Sequence, residues 1–155
     1  MGFLYAATVD AATAQQTYTV GKDKLTITCG SLHTNHVREF QESGAGTASA
    51  QNEEVIARST VGTTPVALTP RPLNSNNTVA WGAGGTAGTM ASTWTTNPTL
   101  ANTLMRYGVN SNGALFRWVA APGMQIEIAT STQLSFNHKS GSTNGFNFYA
   151  VVEEF

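Results

Sequence analysis

The chain has 155 residues, a formal net charge of −1, and only 11% charged residues against the roughly 25% usual for soluble domains. That length suits one domain with a real core. The missing basic run excludes a sequence-independent nucleic-acid binder, and the single cysteine, Cys29, excludes an intrachain disulfide framework or a multi-cysteine zinc site. Thr, Ser, Asn, Gln, Gly and Ala fill the gap left by charge, a composition suited to strands and turns rather than solvated helices.

The first segment, MGFLYAATVDAATAQQ, lacks a basic start, and its apolar run is too short for a membrane helix, so a soluble chain without an export signal is expected. Residues 1–14 read as an N-terminal arm or an edge strand, with Phe3, Leu4 and Tyr5 as its apolar contacts. A single sandwich domain is expected over residues 15–155.

Period-two alternation then dominates. Tyr18 and Val20 open a short strand, and Gly21-Lys22-Asp23 forms a turn. In KLTITCG, Leu25, Ile27 and Cys29 alternate with threonines, which predicts a buried, inert thiol. Residues 32–40, 53–60, 103–109, 114–120, 124–129, 133–138 and 146–152 complete the strands. Short helical turns are admitted at 48–56 and 98–105. Turn chemistry separates the strands at 43–46, 70–72, 82–88, 110–113, 122–123 and 140–145, and residues 74–93 read as a long Gly-rich loop. About eight strands with such breaks predict an all-β antiparallel sandwich of jelly-roll type.

In SNGALFRWVAAPGMQIEI, Phe116 and Trp118 share one strand face while Leu115, Arg117 and Val119 share the other. A hairpin about Ala121-Pro122-Gly123 would set Arg117 opposite Glu127. Apolar residues on both faces of this strand, and of the last one, suggest cover by a loop or by another subunit. Leu115, Arg117 and Val119 are therefore expected to contact a partner.

Chemistry is sparse. His33 and His36 fall on opposite faces of an extended segment, and His138 is remote, so no metal site is expected. The carboxylates lie along strands or at chain ends, where a solvated face or rim is the usual explanation. No nucleophile elbow, phosphate loop or dinucleotide fingerprint occurs, and WGAGGTAG lacks the Lys-Ser/Thr of a phosphate cradle. Neither enzyme activity nor a cofactor is expected.

The stretch PVALTPRPLN (65–74), then TWTTNPTLANTLMRYGVNSNGALFRWVAAPGMQIEI (93–128), together with the initial Met-Gly-Phe-Leu-Tyr, resembles small β-sandwich proteins encoded among the structural genes of tailed bacteriophages. The elements that carry this are ALTP-P-L, W-NPTL, and the aromatic-Arg-Trp strand leading to Pro-Gly. The resemblance implies a jelly-roll capsid decoration, or cement, protein. Such a protein is made in the host cytoplasm and sits on the outer surface of the virion, where it binds the major capsid protein. It also implies a homotrimer, or second a dimer, with no direct nucleic-acid or membrane contact. The alternative is an appendage or fibre module binding a host receptor or carbohydrate, for which Trp81 or Trp94 would offer an exposed platform.

Overall fold

The computed structural model describes residues 2–9, 16–74, 81, 88–141 and 143–155. Among these residues, thirteen strands form two antiparallel sheets packed as a sandwich: β1 Phe3–Val9, β2 Gln16–Tyr18, β3 Asp23–Thr28, β4 Asn35–Ala45, β5 Gln51–Ser59, β6 Thr63–Leu68, β7 Arg71–Pro72, β8 Thr89–Thr96, β9 Leu100–Asn110, β10 Asn112–Val119, β11 Ile126–Ile128, β12 Gln133–Ser140 and β13 Asn144–Glu154. One sheet runs β10-β4-β13-β1-β7, with β11 beside β4 and β2 beside β13; the other runs β6-β8-β3-β12-β5-β9.

Two pairs of strands are single strands interrupted. β1 and β2 run the same way along one edge of β13, and β10 and β11 run the same way along one edge of β4. With these merged, and the β6–β8 additions set aside, eight strand positions remain. The first, eighth, third and sixth form one sheet; the second, seventh, fourth and fifth form the other.

Several expectations are corrected here. The hairpin about Pro122 does not exist: residues 120–125 are an excursion between two collinear strands, with Gly123 taking the positive φ of 79° that the turn needs. Arg117 stands across from Gln41, and Glu127 across from His36. Residues 48–56 and 98–105 are not helical; they feed β5 and β9, whose pairing outweighs a weak local preference. The break expected at 43–46 lies mostly inside β4. Gly44 continues that strand because a Cβ there would fall 2.3 Å from the Asn110 carbonyl oxygen. Of the loop expected at 74–93, residues 89–93 belong to β8; residues 75–80 and 82–87 lie outside the described residues.

Residues 3–9 follow the strand alternative rather than the free arm, and residues 10–15 lie outside the described residues. β1 pairs with β13 over all seven of its residues and borders β7 on its other side. Tyr5 is fully buried, its ring edge-on to Trp81 at 5.2 Å, so it is a core residue and not a partner contact.

The core lies between the sheets. Phe40 is its hub, with the rings of Tyr107, Phe116, Trp118, Phe136 and Phe148 at 5.4–6.2 Å. Phe116 and Trp118, on the outermost strand, are half-buried against it. Cys29 is buried, and burial pushes its thiol above the ordinary range.

Candidate interaction surface

Strand register fixes which side chains stand together on the outside of the β10-β4-β13-β1 sheet. Val119, Glu39, Val151 and Ala6 form one row across four strands; Arg117, Gln41, Tyr149 and Thr8 form the next; Leu115, Ser43 and Asn147 the third. On the far side, Leu4, Glu153, His36 and Glu127 form a fourth. Neighbouring strands lie about 5 Å apart, so the face spans roughly 15–20 Å.

This arrangement brings Leu4, Leu115, Arg117 and Val119 onto a single surface. Leu115 is 63% exposed and Val119 56%, with no chain laid over them among the described residues. Phe3, at the start of β1, is also partly exposed but lies on the opposite parity, at the sheet's end. Arg117 Nε donates to Glu39 Oε1 at 2.7 Å, an ion pair open to solvent that raises the guanidinium's already high pKa. Tyr149 stands next to this pair, and partial burial and then the Glu39 charge raise its phenol. An apolar rim around one ion pair and one aromatic ring suits contact with another protein surface better than chemistry on a small molecule.

The other sheet is built in the opposite sense. The outside of β3, β12 and β5 is buried beneath the end of β8 and the chain leading to β9. Trp94 Nε1 donates to Thr26 Oγ1 at 3.1 Å, and Asn97 Nδ2 donates to the Gly21 carbonyl at 2.6 Å. Under this cover runs a polar ladder. Thr28 donates to Gln133, Gln133 to Ser59, Ser59 meets Ser135, and Ser135 donates to Asp23 at 2.6 Å; Asn137 donates to the other Asp23 oxygen at 2.5 Å. Burial raises the Asp23 carboxyl to about 6, against the lowering effect of those two donors.

A second feature, unforeseen from the sequence, lies in the interior. Lys24, Glu42, Glu54 and His138 are each fully buried, with Tyr107 nearly so. Lys24 Nζ donates to Glu42 Oε2 at 2.5 Å on the facing sheet and to Glu54 Oε2 at 2.6 Å on its own. Tyr107 donates its hydroxyl proton to Glu42 at 2.8 Å, and His138 Nδ1 lies 2.8 Å from Glu54 Oε1. Lys24 reaches inward because it is the unpaired residue of a bulge: Phe136 faces Leu25 and Asn137 faces Asp23. The sequence carried a usable signal. Glu42, Glu54 and His138 each lie two residues from a core side chain, namely Phe40, Ile56 and Phe136, and so share its face.

The expectations about chemistry can be placed on this geometry. Among the described residues, no group of three or more His, Cys, Asp or Glu side chains is placed to hold a metal ion. In a surface depression of about 440 Å³ lined by Gln51, Asn52, Glu53, Arg106, Tyr107, Gly108 and Ser140, the sole carboxylate is Glu53, ion-paired to Arg106 at 2.6 Å. Glu42 and Glu54 do come together, but sealed from any soluble substrate. Trp94 is buried and Trp81 is half-buried with its N–H donated to the Gly88 carbonyl, so neither offers an exposed platform.

No protein-family model, no curated protein and no solved structure matches this chain.

Proposed function

We propose that this chain is a capsid decoration protein of a tailed phage, a binding protein without chemistry of its own. In this reading it docks on the major capsid protein through the outer face of the β10-β4-β13-β1 sheet. The observation that carries the reading is that face: Leu4, Leu115 and Val119 stay exposed around the Arg117–Glu39 pair, whereas the outside of β3, β12 and β5 is covered by the chain itself.

The strand order described above, with the sheet positions interleaved first-eighth-third-sixth and second-seventh-fourth-fifth, supports a jelly roll. The phage-like ALTP-P-L and aromatic-Arg-Trp segments fall on β6–β7 and β10, so the resemblance includes the strand that bears Leu115, Arg117 and Val119. Self-association as a trimer, or second a dimer, places several copies of the same weak contact on one shell, and repetition by symmetry supplies the strength.

Counting copies tests this. Heads purified from cells with and without the gene, analysed by quantitative mass spectrometry and cryo-microscopy, should differ by a protein spread over the whole shell at a fixed ratio to the major capsid protein. A few copies confined to a vertex or tail would favour the receptor-binding appendage instead.

A further inference from the structure

The interior cluster holds an amine and two carboxyl groups in direct contact. Lys24 Nζ touches Glu42 on one side and Glu54 on the other, at 2.5 and 2.6 Å. The rings of Tyr107, Phe146 and Phe148 surround the nitrogen, with centroids 5.6–5.8 Å away, and all three charged side chains are closed to solvent. Such a pair is costly as ions. Burial penalises separated charge, and the attraction between the partners seldom recovers the full desolvation cost. Burial, and then the charge of Glu54, favour the protonated form of Glu42 despite the nearby Lys24.

We propose that Lys24 and Glu42 condense to an intramolecular amide that ties β3 of one sheet to β4 of the other, with Glu54 carrying the proton.

The two carboxylates are not equivalent. Glu54 has both oxygens engaged, one by Lys24 and one by His138. Glu42 has Lys24 and Tyr107 on Oε2, while Oε1 is buried with no hydrogen-bond partner among the described residues. On Glu42, Oε2 thus carries both donors and is the oxygen set to depart while Oε1 stays as the carbonyl, and Glu54 is anchored as a base. Lys24 first passes a proton to Oε2 of Glu42, which gives the neutral amine and acid. The nitrogen lone pair attacks Cδ of Glu42, forming the N–C bond. Glu54 then removes a proton from that nitrogen. The Tyr107 hydroxyl, already donating to Oε2, assists the departure of that oxygen. As the intermediate collapses, the C–O bond breaks, Glu54 returns the proton to the departing hydroxyl, and one water leaves. No electrons enter or leave, and Glu54 ends as it began. Holding the groups in contact replaces an encounter from solution, an advantage that reaches about 10⁵–10⁸ M in well-oriented systems. The aromatic wall hinders return of the water that would reverse the reaction.

Intact mass of the full-length protein, measured under denaturing conditions, tests the bond. The wild type should weigh one water less than its sequence, and a digest should contain a branched peptide joining Lys24 to Glu42. Lys24→Arg and Glu54→Gln should each show their full sequence mass, Glu54→Gln while keeping the β-type circular dichroism spectrum. Glu42→Gln, if it reacts, should lose ammonia instead of water. A wild type that keeps its full mass after prolonged incubation in the folded state overturns the proposal. A branch at Glu54 overturns the choice of Glu42. Should Glu54→Gln fail to fold, the wild-type mass and branch site still decide.

Discussion

The two sheets treat their outer faces in opposite ways. Outside β3, β12 and β5 the chain lays its own β8 end, and beside Val55 and Ala57 what it covers is polar: Asp23, Thr26, Ser135 and Asn137 are all buried, Ser135 and Asn137 bonded to Asp23 and Thr26 bonded to Trp94. Outside β10, β4, β13 and β1 it lays nothing among the described residues, and what stays open includes Leu4, Leu115 and Val119. A fold seeking only its own stability would do the reverse, because burying a polar group gains little beyond its hydrogen bonds while leaving apolar surface in water forfeits about 25 cal/mol per Å². The closed polar face fixes geometry. The open apolar face is surface the monomer does not use.

Perturbing each region in turn sharpens this contrast, and the largest effect belongs to the interior between the faces. Compared with the wild type before the amide forms, Lys24→Met removes the cation between Glu42 and Glu54 and should destabilise the fold by about 3–5 kcal/mol, since two buried carboxylates are left facing each other. Urea unfolding checks this; a loss under about 1 kcal/mol would mean the carboxylates share a proton and stand without the lysine. Next come neighbours on opposite faces of β1. Tyr5→Ala opens the core and should cost about 4 kcal/mol, whereas Leu4→Ser should change stability by no more than about 0.5 kcal/mol. Equal losses at the two positions would erase the distinction between the faces.

The covered face has a pH signature. Asp23 binds its proton more tightly folded, at about 6, than the ordinary 3.8, so between those values the native state holds more protons than the unfolded one. Stability from this group is therefore full below about pH 4 and falls as the pH rises through 6, by about 3 kcal/mol in total. Glu42, also raised, acts in the same direction as long as it is not linked to Lys24. Asp23→Asn should flatten most of that slope in melting curves recorded from pH 4 to 7. An unchanged slope would place the titration elsewhere. Smallest is Arg117→Ala, which breaks only a solvent-open pair and should leave the melting temperature nearly unmoved.

Alternation was enough to find the sandwich, the two-faced β10 strand, and the shared outer face of Leu115, Arg117 and Val119. It failed where the backbone departs from simple alternation. The bulge at Lys24 turns a lysine inward where strict period two would alternate it with Leu25. The excursion at 120–125 looks locally like a hairpin turn, because Pro-Gly marks a turn but not whether the chain returns beside itself or continues along the same neighbour. The ionic cluster went unseen for a different reason. Its charges were judged by residue type, as solvated, although Glu42, Glu54 and His138 lie in phase with core residues. Tyr5 was grouped with Phe3 and Leu4 by composition, yet Leu4 and Tyr5 point to opposite sides of β1. In each case pairing decided the matter, and pairing is set by residues far away along the chain.

The central claim is that the open face is the docking surface, and the double variant Leu115→Asp/Val119→Asp tests it most directly. Both side chains are exposed, so the protein should fold and melt like the wild type. Mixed with heads lacking the endogenous protein and sedimented, wild type should co-sediment to saturation and the double variant should stay in the supernatant. Saturable binding by the folded double variant at wild-type affinity would contradict the account.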